Sequence, residues 1–328
     1  MRFRHFLCAA FVFPFAAQFA PAQKNLPAPA WKSGELLFYR VHLKIDRDIK
    51  TKSALALPQS PTDAKMDISG ILQVKVLSPA NQTSAGHIRL RTWFLSLDSG
   101  IGALPRGAKP GQFDGGIAPG DDKFIDCTLA PGGQLGEIEG LEKLEPEQQT
   151  AWREWAARFS APFTLEREKR KRGEKWNSEE PETTTSPIAD LRWQKKSQYV
   201  RDEPCAPLKF SGTEGFQRSA ASESCAVILS TASLLQKSSR QDATPQDYKL
   251  RGLHTQGTAK GTNEVILYIS RKTGRLIRAT QDVTQQMDVL IALSTAGNQV
   301  HYGIQAKANS TVELVTDLSP VPRAKLSK

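Results

Sequence analysis

From Leu37 to Ile45 every second residue is apolar, Leu37, Tyr39, Val41, Leu43 and Ile45, with Phe38 and then the polar Arg40, His42 and Lys44 between them. A period of two puts the apolar set on one face of an extended chain and predicts a half-buried strand. "MDISGILQVKVL" and "GHIRLRTWFLSL" follow, separated by "SPANQTSA", which reads as two antiparallel strands and a loop. A glycine- and proline-rich excursion from Asp98 to Asp122 comes next. Loops of that length are uncommon in compact domains. "FIDCTLAPGGQLGEIEG", from Phe124 to Gly140, then reads as strand, turn and strand.

The pattern changes in "LEKLEPEQQTAWREWAARF". Leu141, Leu144, Gln148, Trp152, Trp155 and Phe159 recur at three- and four-residue spacing, with acids at the front and arginines toward the end. This predicts an amphipathic helix over about 141–159 that packs on a sheet. Its aromatic stripe makes Trp152, Trp155 and Phe159 the candidate wall of a ligand groove.

Beyond a charged stretch the chain returns to short apolar or alternating runs: "IADLRWQKKSQYV", "CAVILSTASLL", "QDYKLRGLHTQ", "EVILYISRKTGRLIRATQDV", "MDVLIALS", "QVHYGIQAK" and "STVELV". All read as strands, and Lys272-Thr273-Gly274-Arg275 reads as a hairpin turn with glycine at a positive φ. A shift of 141 positions lays "VILYISRKTGRLIRATQ" on the earlier hairpin, Gly274 on Gly133 and Leu276 on Leu135. "WKSGE" before the first half has an echo in "RGEKW" before the second. The expected fold is therefore mainly β: two twisted antiparallel sheets or half-barrels related by internal duplication, with one packed amphipathic helix. The expected division is a leader at 1–22, a first β unit at 23–165, a charged connector at 166–185, a second β unit at 186–318 and a polar tail at 319–328.

The leader comes from a second pattern. Arg2 and Arg4 precede an apolar stretch from Phe6 to Ala17, and Ala20-Pro21-Ala22 forms a small-x-small cleavage signal before Gln23. The run is shorter than the ~20 residues a spanning helix needs, so the chain is expected to be exported, to the periplasm or the exterior. The net charge of +10 includes the two leader arginines. Much of the remainder lies in "EREKRKRGEK", where Lys169, Arg170, Lys171 and Arg172 are consecutive. Such a run can meet an anionic envelope surface, although interleaved acids favour a solvated connector, and no aromatic platform points to nucleic acid.

Export implies an oxidising compartment. Cys205 and Cys225 flank a polar, serine- and glycine-rich stretch and are the expected disulfide. Closing about 20 residues contributes roughly 3 kcal/mol in the chain-entropy model. Cys127 alternates with Ile125 and Leu129 and reads as a small buried hydrophobe.

Visible chemistry is sparse. His42, His87, His254 and His301 show no ligand spacing, and there is no nucleophile elbow, Walker loop or dinucleotide fingerprint. Asp114, Asp121 and Asp122 share a loop but lack the regular spacing of a calcium site. No metal site and no cofactor is assigned. The layout, with its leader, paired Gly-Glu openings and two hairpins, resembles exported bacterial proteins of no assigned activity built as two related antiparallel β units. The resemblance implies no catalytic or ligand residue. The function these features support is a non-catalytic cell-envelope protein holding a lipid or other apolar or amphipathic ligand in a curved-sheet groove. The alternatives are a structural or protein-interaction β protein with no cavity and, further off, a hydrolase using scattered carboxylates.

Overall fold

The structure is a computed structural model, which describes residues 25–26, 31–51, 64–78, 87–101, 124–129, 135–143, 170–182, 186–211, 215–220, 223–293, 299–316 and 318. Leu36–Thr51 forms β1, in which Leu37, Tyr39, Val41, Leu43 and Ile45 are all buried while their neighbours are largely exposed. The period of two is thus realised residue for residue. β2 (Ala64–Ser78), β3 (Ile88–Ile101), β4 (Ile125–Leu129) and β5 (Leu135–Glu139) continue from β1 as an antiparallel meander.

The second half begins earlier than its pattern suggests. Lys175–Pro181, within the charged stretch, forms β6 and turns Trp176 to the buried side. β7 (Leu191–Cys205), β10 (Glu223–Gln236), β11 (Leu253–Ser270), β12 (Leu276–Leu293) and β13 (Gln299–Thr316) follow it in order. A small hairpin, β8 (Leu208–Ser211) with β9 (Gly215–Arg218), leaves this path between β7 and β10. The hairpin touches β13 through a short parallel pairing, Val315 with Leu208 and Thr316 with Lys209.

Where two sheets are expected, the chain builds one. Its strands run β5-β4-β3-β2-β1-β13-β12-β11-β10-β7-β6, antiparallel along the whole path. β13 makes the join, pairing with β1 on one edge from Val315 against Phe38 to Tyr302 against Thr51, and with β12 on the other. With both edges of β13 occupied, neither half keeps a free edge at the centre.

One face carries the core, with Tyr39, Leu72, Ile228, Val289 and Tyr302 fully buried in a single cluster that spans both halves. The opposite face is largely polar, with apolar residues such as Val227, Leu229 and Ile266 on β10 and β11 and a patch beneath the β8–β9 hairpin. There Phe210 and Phe216, with ring centroids 5.0 Å apart, pack with Phe38, Ile71, Leu95 and Val315. Arg40 adds a cation–π contact, its guanidinium 5.0 Å from the Phe216 ring.

Two expected elements come out differently. Gln246–Leu250, read as part of a strand, is a short helix, α1. Pro245 sets its start with φ near −64°, Asp247 and Lys249 suit its two ends, and Gly252 at φ 67° ends it before β11. The runs on either side of "TAKGTN" and "TQQ" are not separate strands either. β11 and β12 pass straight through them and are 18 residues long each. Of the predicted helix over 141–159, Leu141–Lys143 is a 3-10 turn with Leu141 buried. The rest lies outside the described residues.

The two halves correspond in strand order and in their opening turns. Gly34 and Gly173 sit at φ 77° and 85°, which favour glycine. In each turn the glutamate that follows, Glu35 or Glu174, donates its N–H to a lysine carbonyl three residues back and accepts that lysine's N–H on its carboxylate. Gly34 N–H then bonds Val76 of β2, and Gly173 N–H bonds Tyr199 of β7. The paired hairpins β4–β5 and β11–β12 are the fourth and fifth strands of each half. Lengths do not follow: β4 and β5 have five residues each against eighteen. β8, β9 and β13 have no counterpart, and these matches do not establish a duplication.

Candidate functional site

The core face differs between the halves. Over β1 and β2 its positions are occupied by Leu37, Tyr39, Val41, Leu43, Ile45, Leu72, Val74 and Val76. Across β7, β10, β11 and β12 the same face carries Lys195, Ser197, Ser230, Asn263, Gln281 and Gln285, all buried. Every one of these polar groups finds a neighbour in the plane of the face. Lys195 pairs with Glu180 of β6. Ser197 and Ser230 share a hydrogen bond of 2.7 Å. Gln281 donates to Asn263 at 3.3 Å and accepts from Ser310 at 3.4 Å. Glu182, just past β6, accepts from Trp193 Nε1 at 2.9 Å and from Gln285 Nε2 at 2.6 Å. The band is consequently self-satisfied, as burial of polar groups demands.

Gly261 makes room for this arrangement. A Cβ there would stand 2.6 Å from the Thr284 carbonyl and 3.2 Å from the Trp193 ring, so the indole crosses over β10 where β11 lacks a side chain. The chain between β6 and β7 also lies on this face, with Ser186 Oγ bonded to Met287 Sδ at 3.7 Å and Ile188 buried.

A groove of about 540 Å³ crosses the opposite, polar face. It runs over β1, β13, β12 and β11, between the row Asp48, Gln305, Gln286, Lys260 and the row Lys50, Gly303, Asp288, Thr258. Ala259, Met287 and Ile304 lie between the rows, and the alternation turns their side chains to the core face, leaving backbone as the floor. Arg240 closes one end, its carbonyl held by Gly257 N–H at 2.9 Å.

The disulfide between Cys205 and Cys225 is present as predicted and closes the segment that carries β8 and β9. Cys127 is free and half-buried, and burial, helped by the charge of Asp126, pushes its thiol up to about 12. Asp126 is itself clamped by Arg91 through two bonds of 2.8 Å, with the guanidinium 3.6 Å from the exposed Phe124 ring. That is an inert thiol beside a neutralised carboxylate.

Of the basic run, Lys169 lies outside the described residues. Arg170 is half-buried, bonds Glu174 at 2.7 Å and stacks 4.8 Å from Trp176. That hydrogen bond, with the Lys171 N–H, lowers the Glu174 carboxyl below its ordinary value. Lys171 and Arg172 are exposed. Trp152, Trp155 and Phe159, and the acidic loop with Asp114, Asp121 and Asp122, fall outside the described residues. Among those described, no group of three His, Cys, Asp or Glu side chains is placed to hold a metal ion. His42 bonds Asp67 at 2.8 Å and His301 bonds Asp288, each as an isolated pair.

Sequence reasoning did not single out the polar band. Its signal was Lys195 in "LRWQKKSQYV", an inward position in the alternation Leu191, Trp193, Lys195, Ser197, Tyr199 that the adjacent Lys196 hides. The groove had no local signal, because its rows come from strands far apart in sequence.

No protein-family model and no curated protein matches this sequence. Among solved structures, a lipovitellin structure describing lipid–protein interactions aligns with 87% of this chain at 12% identity and a TM-score of 0.42. The aligned part is a quarter of the lipovitellin chain, 25% of its length. Pseudomonas aeruginosa OpdQ aligns with 87% of this chain and 100% of its own at 8% identity and a TM-score of 0.20. A Rh. blastica porin variant aligns with 85% and 99% at 8% identity and a TM-score of 0.18. All three scores fall below 0.5, and neither family nor activity is assigned from them.

Proposed function

We propose that the protein is exported, is not an enzyme, and holds an apolar or amphipathic molecule on the core face of its sheet in the cell envelope. The observation that carries this reading is the one-sidedness of an unclosed sheet. Its core face is continuous from β4 to β10, while its end strands β5 and β6 do not pair with one another among the described residues. An apolar chain entering this unclosed trough between its end strands would take the place of contacts that the buried apolar residues make with one another. Lys195 is paired with Glu180 and Asp126 with Arg91, and the raised ionisation of Cys127 makes it a poor nucleophile, which supports binding over catalysis. The Cys205–Cys225 disulfide supports an oxidising destination.

The test has two arms. Protein purified from cells is extracted with organic solvent and the extract examined by mass spectrometry, and the stripped protein is titrated with a fluorescent long-chain fatty acid. A defined amphiphile in the extract and saturable one-to-one binding are expected. A clean extract together with no saturable binding would leave a protein-interaction scaffold as the reading, and an unprocessed chain retained in the cytoplasm would overturn export.

A further inference from the structure

The groove on the polar face gathers polar side chains that have no side-chain partner among the described residues. At several other positions on that face neighbours satisfy each other across strands: His42 with Asp67, Thr262 with Thr284, Asn309 with Asp282, and Arg218 with Glu313. In the groove both acids are occupied, Asp288 by His301 and Asp48 by Lys50 at 4.0 Å. Lys260, Arg240, Gln286, Gln305 and Thr258 line it with no side-chain partner among the described residues. Two free cations therefore stand beside two free amides and a free hydroxyl.

Gly303 makes this surface a groove. It lies inside β13 between buried Tyr302 and Ile304, where glycine weakens a strand and marks close approach by something else. A Cβ at this position would meet nothing nearer than the Lys50 carbonyl at 3.9 Å. Packing thus does not exclude a side chain; the space is simply open.

We propose that this groove binds a short stretch of an acidic polysaccharide. Four strands at a spacing of about 4.8 Å span roughly 14 Å, long enough for an oligosaccharide and far longer than one small anion. Amide and hydroxyl groups on Gln286, Gln305 and Thr258 both donate and accept, as sugar hydroxyls require. Lys260 and Arg240, together at one end, match a carboxylate through charge-assisted hydrogen bonds. The site is on the face opposite the trough and stands independently of the ligand proposed there.

The full chain is titrated calorimetrically with a uronic acid tetrasaccharide and with a neutral glucose tetrasaccharide. The acidic sugar is expected to bind, more weakly as salt rises, and the neutral sugar at least about tenfold less tightly. Lys260→Gln with Arg240→Gln should cost the acidic sugar about tenfold or more, while Lys44→Gln, on the same face but away from the groove, should change nothing. Gly303→Leu should fill the groove and abolish binding with the thermal midpoint retained. Equal binding of both sugars, a matching loss in Lys44→Gln, undiminished binding by Gly303→Leu, or no binding of the acidic sugar would each overturn the proposal. Binding of a single uronic acid as tight as the tetrasaccharide would reduce the site to a simple anion contact and overturn it too.

Discussion

The two halves of the sheet present the same face to the same core and reach stability by different means. β1 and β2 bury an unbroken apolar set around Tyr39 and Leu72, so each residue contributes on its own through area removed from water. β6, β7 and β10 to β12 bury Lys195, Ser197, Asn263, Gln281 and Gln285 among apolar neighbours, and these contribute only as matched pairs. A strand can therefore carry polar residues inward without leaving the sheet, provided the next strand carries the complement.

The largest effect should come from the apolar half. Leu72→Ala is expected to cost about 4 kcal/mol in denaturant unfolding, through lost burial and a cavity, and no partner substitution should restore it. Recovery by a second change nearby would mean that this half is coupled as well.

In the other half, Lys195→Met should cost about 3 kcal/mol, because Glu180 is left without its partner. Adding Glu180→Leu should recover most of that. If the double variant is no better than the single, the pair is not what holds β6 to β7.

The opening turns offer a like-for-like test between the halves. Gly34→Ala and Gly173→Ala should each cost about 1 kcal/mol, since both glycines are at positive φ with open space where a Cβ would go. Clearly unequal losses would show that the turns share geometry but not weight.

At neutral pH Cys127 should show the smallest stability effect, and at alkaline pH a clear chemical one. Its folded thiol ionises only near about 12, whereas an unfolded one does so near ~8.5. Its contribution is whole below about pH 8.5 and is lost as pH climbs toward 12. At pH 9 the native protein should hold several hundredfold less thiolate than the denatured one, and iodoacetamide should label it far more slowly. Equal rates would place the thiol in solvent.

The same contrast explains what was legible in the sequence. β1 could be read outright because its partners are irrelevant to its pattern. The turn at 272–275 could be read from Gly274, which has the expected φ of 68°, and the disulfide from export and spacing. β11 and β12 read as shorter pieces because the polar stretches around Asn263 and Gln285 look outward-facing until the adjacent strand is known. The single sheet was hidden for a related reason: nothing near Leu36 or Thr316 announces that β13 returns to β1. The groove combines both difficulties, being an array of ordinary polar residues defined only by register.

That return has a consequence in time. Val315 pairs with Phe38 across about 280 residues of chain. At roughly 5 to 20 residues per second, a ribosome delivers β13 some tens of seconds after β1. Throughout that interval β1 has one edge of unpaired N–H and C=O groups and an apolar face with no neighbour on that side. A nascent chain in this state is an open template for other extended segments, and its sheet cannot be completed before its last strand has been made. Folding of this protein at its centre therefore waits for β13, is slow for its size, and depends on whatever shields β1 until β13 arrives.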